Sequence, residues 1–419
     1  MKISDIKPEI DALADEVEST LRSVFDEIDC VASFNTRKVM EAFEDNRVSD
    51  ACFAGTTGYG YDDLGRETLD KIYAQVFRTE AALVRTSFVN GTHALTAALF
   101  ALIGPGDTIL AVTGAPYDTL RAAIGISGDY HGSLKFYGVD YAQVDLSSNG
   151  SPNFAAIRSA AADPKVRAIM IQRSRGYEDR RALSVEEIGK ICSTIRDVNP
   201  SAHILVDNCY GEFTETIEPT EVGADVVAGS LIKNPGGGIA PTGGYVAGKK
   251  ELVERAAMRL TTPGIGGECG STLGVNRLLY HGLFLAPHTV AQALKTAVFC
   301  AGMLERLGFE TSPKAAEKRS DIIQMIKLGS AENMKRFCAG IQAGAPVDSY
   351  VTPEPWQMPG YDCPVIMAAG SFIQGSSIEL SADGPFRPPY TVYLQGGLTY
   401  ESGKLGIMMA LSAMQQNRE

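Results

Sequence analysis

Residues 225–244, DVVAGSLIKNPGGGIAPTGG, pass from a short apolar run into a glycine-rich turn, and one lysine, Lys233, stands at the break. Leu231 and Ile232 precede it and Asn234-Pro235-Gly236 follow, so its ammonium falls where the chain is expected to be buried. A buried ammonium is unfavourable unless it is paired or neutralised. Covalent chemistry is one reason to keep it: a desolvated lysine is expected to have a lowered pKa and to form a Schiff base with an aldehyde. Ser230, three residues earlier, offers a hydroxyl to a phosphate. A lysine in a surface loop is the alternative this stretch leaves open.

Upstream, HILVDNCYGEF (residues 203–213) is an apolar run that ends in Asp207. A carboxylate at the end of a buried strand needs a cation or a donor. A protonated pyridine nitrogen is such a cation, and keeping it protonated lets the ring take up electrons. An aldehyde for Lys233, a phosphate for Ser230 and a pyridinium for Asp207 belong to one small molecule, pyridoxal 5′-phosphate. Asp207 precedes Lys233 by 26 residues, room for one helix-like segment and the strand DVVAGS.

Further toward the N-terminus, short apolar runs alternate with amphipathic helices. ALVRTSF (82–88), TILAV (108–112), SLKFYGVDY (133–141) and VRAIMIQRSRGY (166–177) read as strands. This alternation is the pattern of an α/β fold with a mostly parallel sheet wrapped by helices. VNGTHALTAALFALIGPGD (89–107) places Gly91, Thr92 and His93 at a helix N-terminus, where free N–H groups and the helix dipole favour an anion. Tyr117 falls in the first turn of the next helix, where a ring can stack on a flat cofactor. Arg173 and Arg175 follow a strand end, the edge at which ligands collect in open α/β sheets, and are candidates for a substrate carboxylate. A helix is expected over residues 184–198.

Residues 1–48 read as helical, an arm packed on a larger body or on another subunit. The loop of residues 55–66 is rich in glycine and tyrosine and reads either as a plain surface loop or as one that supplies Tyr59, Tyr61 or Arg66 to an anion, across a dimer interface. After KKELVERAAMRL (249–260), a helix, comes a second long helix through residues 294–307, which Pro287 is expected to kink or restart. Beyond Gly308 the chain suits a smaller α/β domain with strands at DIIQMIKL, VIMAAGSF and SIELSA and a closing helix over 401–415. The expected organisation is a helical arm over 1–54, a large domain over 55–290, and a linking helix with a small domain over 291–419.

The chain has 419 residues, 45% hydrophobic and 21% charged, enough for one large core and a smaller domain. A net charge of −12 argues against nucleic acid and anionic membranes as partners. The acidic, periodic N-terminus does not read as a signal peptide, and a cytosolic location is expected. Eight cysteines are scattered without a C-x-x-C pair or zinc spacing, so reduced thiols and no metal are expected.

The order Gly91-Thr92-His93, Tyr117, Asp207, Ser230, Lys233 resembles the fold-type I pyridoxal-phosphate enzymes of the cystathionine γ-synthase and methionine γ-lyase group. GYGYDDLGR, QRSRGY, VDNCYGEF, GSLIKNPGGGIAPTGGY, PGIGGECG, GLFLAPH, SIELSADGPFRPPY and YLQGGLTYE are similar to the aluminium-resistance, methionine γ-lyase-like family. The resemblance implies that Lys233 holds the cofactor covalently and that Asp207 pairs with the pyridinium. It also implies that Gly91, Thr92, Ser230 and His93 hold the phosphate, that Tyr117 stacks on the ring, and that Arg387 grips a substrate α-carboxylate. The related lyases carry an arginine two residues after the cross-subunit tyrosine; here Asp62-Asp63 follow Tyr61, and the nearest arginine is Arg66. The expected activity is β- or γ-elimination from a sulfur amino acid in a homodimer or homotetramer with shared sites, with Tyr117 assisting at the leaving group. An aminotransferase or racemase shares every cofactor residue, and a non-catalytic stress or metal-tolerance protein that keeps the fold is a third reading.

Overall fold

A computed structural model describes residues 2–358 and 363–415; residues 1, 359–362 and 416–419, which the expected domain boundaries include, lie outside the described residues. The apolar runs of the first two-thirds form seven strands: β1 (Ala81–Arg85), β2 (Thr108–Ala111), β3 (Asp140–Gln143), β4 (Val166–Gln172), β5 (His203–Asp207), β6 (Val226–Ser230) and β7 (Gly244–Gly248). Their order is β1-β7-β6-β5-β4-β2-β3, and only β7 runs against its neighbours. Central strands β4, β5 and β6 are nearly continuous runs of Val, Ile, Leu and Met, as expected when both faces of a parallel sheet are covered.

The covering helices are α1 (Pro8–Thr20), α2 (Arg22–Asp45), α3 (Leu64–Val76), α4 (Gly91–Leu102), α5 (Asp118–Ile124), α6 (Phe154–Ala161), α7 (Val185–Arg196), α8 (Lys250–Leu260) and α9 (Asn276–Arg306). One face of the sheet packs Leu95 and Leu99 of α4 with Leu252 and Ala256 of α8. The other packs Leu69 and Ile72 of α3, Ile188 of α7 and Leu283 of α9. Helix starts are fixed by local chemistry: Asn90 Oδ1 accepts from His93 N at 2.9 Å, and Ser184 forms a capping box with Glu187.

A second sheet, β8 (Glu310–Ser312), β9 (Ile323–Lys327), β10 (Val365–Ala369), β11 (Ser381–Pro385) and β12 (Thr391–Gln395), has the order β10-β11-β12-β9-β8 and is antiparallel throughout. Helices α10 (Ala331–Ala343) and α11 (Tyr400–Met414) pack against it. The N-terminal arm lies on this body: Ile10, Ala14 and Val17 of α1 share a core with Val298 and Phe299 of α9.

Four local expectations are corrected. Residues 133–139 form a short 3-10 turn closed by Gly138 at φ +82, and the strand begins only at Asp140. Between Asp207 and Lys233 the only helical piece is the 3-10 turn Pro219–Val222, not a full helix. Helix α9 has 31 residues and runs through Pro287 without restarting, because Pro287 is buried and its neighbours Leu283, Ala286 and Val290 pack in the large-domain core. The SIELSA strand shifts to Ser381–Pro385. The expected boundary at 290/291 therefore falls inside α9. Among the described residues no helix is long and apolar enough to cross a membrane.

Candidate active site

The parallel register sets the site. Gln172, at the end of β4, faces Asp207, at the end of β5, and Asp207 faces Ala228 of β6. Ser230 ends β6 on the same edge, and Lys233 begins the next turn, a 3-10 turn over Asn234–Gly236. The first residue of α4 approaches this edge so closely that a Cβ on Gly91 would meet Ser230 Cβ at 3.0 Å and Cys209 Sγ at 3.6 Å. Sequence spacing thus brings Gly91, Asp207, Ser230 and Lys233 together.

Asp207 is buried and its Oδ1 accepts from Cys209 N at 3.1 Å. Burial raises its carboxyl above the ordinary range, against the pull of Lys233, the Cys209 N–H and Arg180. Lys233 places Nζ 3.9 Å from the centre of the Tyr210 ring. Its ammonium lies above, not below, the ordinary lysine range: burial pulls it down, but Cys209, Tyr210, Asp207 and Glu212 together outweigh burial. This corrects the expected lowered pKa, and the cause is the acidic company that burial logic alone ignores.

Tyr117 immediately precedes α5, with its ring 6.2 Å from that of Tyr177. Both line a cavity of about 720 Å³ together with Gln172, Arg175, Glu178 and Arg387. Lys233, Asp207 and Ser230 do not line it, but Gln172, which pairs with Asp207 in the sheet, does. Thr92 Oγ1 shares a 2.7 Å hydrogen bond with Thr119 Oγ1, tying α4 to α5. His93 Nδ1 accepts from Val89 N at 3.2 Å, and burial followed by Arg259 lowers its pKa, so it braces the turn before α4 as a neutral ring.

The arginines divide. Arg387 is exposed in the turn between β11 and β12, on the rim of the cavity. Arg173 is buried away from it: Nη1 donates to Asn208 Oδ1 at 2.8 Å and Nη2 to Glu215 Oε1 at 2.8 Å, which corrects its assignment as a substrate ligand. Arg175 reaches across to the small domain, donating to Ser312 O at 2.7 Å and Ser312 Oγ at 2.9 Å. Its guanidinium braces the two domains where a substrate contact was expected, although the side chain still borders the cavity. Arg66 is 2% exposed, with Nη1 on Gly60 O at 2.6 Å and Gly270 O at 2.7 Å and Nη2 on Glu268 O at 3.1 Å. A guanidinium occupied this way clamps the loop, which corrects the reading of Arg66 as a phosphate ligand. Tyr59 and Tyr61 stand on that clamped loop, stacked at 5.7 Å and exposed by 75% and 56%.

Three residues escaped the sequence reading. Glu212 has no exposed surface, hydrogen-bonds Tyr245 Oη at 2.9 Å, and is pushed up to about 8, by burial above all. Gly229 makes room for it, since a Cβ there would meet Glu212 Oε1 at 2.6 Å. Tyr210 adopts φ +70, a left-handed conformation that turns its ring under Lys233. Arg180 is 7% exposed, with Nε and Nη1 lacking hydrogen-bond partners among the described residues, and its charge acts on Asp207.

The pieces fit pyridoxal phosphate. Gly91 packs against Ser230 at the start of α4, where backbone N–H groups suit a phosphate, and the buried Asp207 carboxyl feels the charges of Lys233 and Arg180 but makes no ion pair with either among the described residues. Among the described residues no three His, Cys, Asp or Glu side chains are grouped to hold a metal ion. A family model described as methionine gamma-lyase matches residues 10–415. A carbon-sulfur lyase involved in aluminum resistance from Clostridium novyi NT has a similar structure, with TM-score 0.94 and 53% identity, covering 97% of this chain and 96% of that one. Protein YnbB of Bacillus subtilis is 48% identical over 404 residues, 96% of each chain. The pyridoxal-5′-phosphate-dependent protein YhfS of Escherichia coli shares only the fold, with TM-score 0.61 at 18% identity, covering 90% of this chain and 94% of that one. The architecture is thus that of fold-type I pyridoxal-phosphate enzymes.

Proposed function

The chain belongs to the methionine gamma-lyase family, and from that premise we propose that it is a pyridoxal 5′-phosphate-dependent carbon–sulfur lyase that eliminates a sulfur substituent from an amino acid. The observation that carries this reading is the meeting of Lys233, Asp207, Ser230 and Gly91 on one sheet edge, beside a cavity bordered by Tyr117 and Arg387.

When bound, the cofactor supplies an electron sink that stabilises negative charge at the carbon beside the amino group. Lys233 would hold the cofactor covalently, and its Nζ, once free, would serve as the base for the proton on the substrate α-carbon. Asp207 would pair with the cofactor's ring nitrogen and favour its protonated form. Glu212, pushed up to about 8 by burial and tied to Tyr245, is assigned no charge in this scheme, and the charged role toward the ring nitrogen falls to Asp207, beside Lys233 and Arg180. The N–H groups at the start of α4, with Thr92 and Ser230, would hold the phosphate, and His93 holds that helix start in place by accepting from Val89 N. Tyr117, on the cavity wall, would pack on the cofactor, and its hydroxyl would supply a proton to the departing sulfur. Arg387 pairs with the substrate α-carboxylate from the small domain. The exposed tyrosine pair Tyr59 and Tyr61 reaches a neighbouring subunit's site in a homodimer or homotetramer, which is what an exposed stack on a rigidly clamped loop supports.

The test is a panel of sulfur amino acids, including methionine and cystathionine, with purified protein and added pyridoxal phosphate. Release of pyruvate or 2-oxobutyrate with thiol is the expected result and separates β- from γ-elimination. Amino transfer to a 2-oxo acid, or racemisation without thiol, would replace the reading.

A further inference from the structure

Asp383 lies on β11 of the small domain, 3% exposed. Its carboxyl receives a hydrogen bond from Tyr177, a residue of the loop that follows β4 in the large domain. Other polar contacts on this carboxyl are sparse: Gln395 Nε2 stands 3.5 Å from Oδ2, and Oδ1 has no partner among the described residues. A buried carboxyl with so few donors depends strongly on each one. Burial pushes Asp383 up to about 7, and the Tyr177 hydrogen bond works the other way.

The ring of Tyr177 is held on both sides. Toward the small domain it packs on Tyr393 of β12, with centroids 5.4 Å apart. Toward the large domain it packs on Tyr117 at 6.2 Å and 54°. Gly176, at φ +58, turns the chain just before Tyr177, and its Cα side faces the Tyr117 ring at van der Waals distance. Tyr117 and Tyr177 form adjoining walls of the same cavity. A continuous line of contact therefore runs from a buried carboxyl of one domain to the ring beside the lysine edge of the other.

We propose that Tyr177 is a positioning residue, whose hydroxyl on Asp383 and ring against Tyr117 make the small domain hold the Tyr117 ring in register with the cofactor. The arrangement couples the seating of the small domain, which also carries Arg387, to the geometry of the reacting centre. This rests on the reading that Tyr117 lies against pyridoxal phosphate. Deleting the hydroxyl leaves the ring stack complete but frees its angle, so the effect falls on the chemical step more than on substrate affinity.

The experiment uses holoenzyme carrying Tyr177→Phe, Asp383→Ala, both together, or Asp383→Asn. Each is read by the visible circular dichroism of bound pyridoxal phosphate, by kcat and KM, and by melting temperature. Loss of one hydrogen bond to a buried carboxyl predicts a fall in kcat of about tenfold for either single variant. KM is expected to stay within about twofold, the dichroic band to weaken, and the double variant to be no worse than the singles. Asp383→Asn, which still accepts from the hydroxyl, restores most of the band. If Asp383→Ala does not fold, the cycle is run with Asp383→Leu, which fills the volume and also removes the acceptor, as the partner of Tyr177→Phe. An unchanged band and kcat in Tyr177→Phe overturns the proposal. So do additive effects of the two changes, or a loss that only follows the melting temperature. A parent protein that shows no cofactor band instead fails the function reading itself, so the two failures are distinguishable.

Discussion

Replacing Glu212 with Gln separates the roles of the two carboxyl groups around Lys233. Glu212 has no exposed surface, shares a hydrogen bond with Tyr245, and has a carboxyl raised from 4.5 to about 8, chiefly by burial. A group whose folded pKa is raised binds its proton more tightly in the folded chain. Its contribution to stability is therefore fully present below the unfolded value and is lost as pH rises through the folded one. Between pH 6 and pH 9, at about 1.4 kcal/mol per pKa unit, Glu212 alone removes about 3 kcal/mol. Glutamine keeps the shape and a hydrogen bond to Tyr245 but does not titrate. Neither Tyr245 nor Lys233 changes charge in this window, because both lie above their ordinary values. The assay is urea denaturation of cofactor-free parent and Glu212→Gln protein at fixed concentration, from pH 6 to pH 9. The stability gap in favour of the variant should widen by about 3 kcal/mol over that range. A gap independent of pH, or one that widens toward acid, would show that Glu212 is ionised in the folded chain and would refute the division of labour with Asp207.

Asp207→Asn preserves shape and removes the charge that keeps the cofactor ring protonated, so turnover should fall by orders of magnitude while cofactor still partly binds; near-normal turnover would make Asp207 structural only. Mixing inactive Lys233→Ala with inactive Tyr61→Ala subunits should restore activity after exchange if Tyr61 serves a neighbouring site, and no recovery despite proven exchange counts against sharing. Arg387→Lys loses a bidentate pair with a substrate carboxylate and should raise KM roughly 30-fold or more without changing the cofactor spectrum. The same change at Arg175 should instead lower the melting temperature, because its guanidinium holds Ser312 across the domains.

Strand-end residues were legible because register follows from short local patterns: an apolar run ending in Asp207, another ending in Ser230, and a glycine before a helix. Placing them side by side needed only the parallel order of β4, β5 and β6. The arginines were misread for the opposite reason. Arg66 looks like a ligand because it stands near Tyr61, yet two of its three carbonyl partners belong to residues 268–270, which no spacing in the chain foretells. Arg173 is neutralised by Glu215, 42 residues away, across a loop whose path depends on left-handed Tyr210 and Phe213. Glu212 reads as a loop glutamate until Tyr245 of β7 is brought beside it by the one antiparallel strand of the sheet. Pro287 breaks helices locally, but the packing of its neighbours in the large-domain core outweighs the lost backbone bond. Gly282, five residues before Pro287, marks how tightly that region is packed: a Cβ there would meet Gly236 O at 2.4 Å.

The central claim is that Lys233 carries the cofactor. Reduction of purified holoenzyme with borohydride, digestion and mass spectrometry will locate the pyridoxyl group on the chain. The account predicts a single modified peptide, with the adduct on Lys233 and a loss of yellow colour in step with its formation. An adduct on any other lysine, or a yellow protein that reduction leaves unmodified, would contradict it.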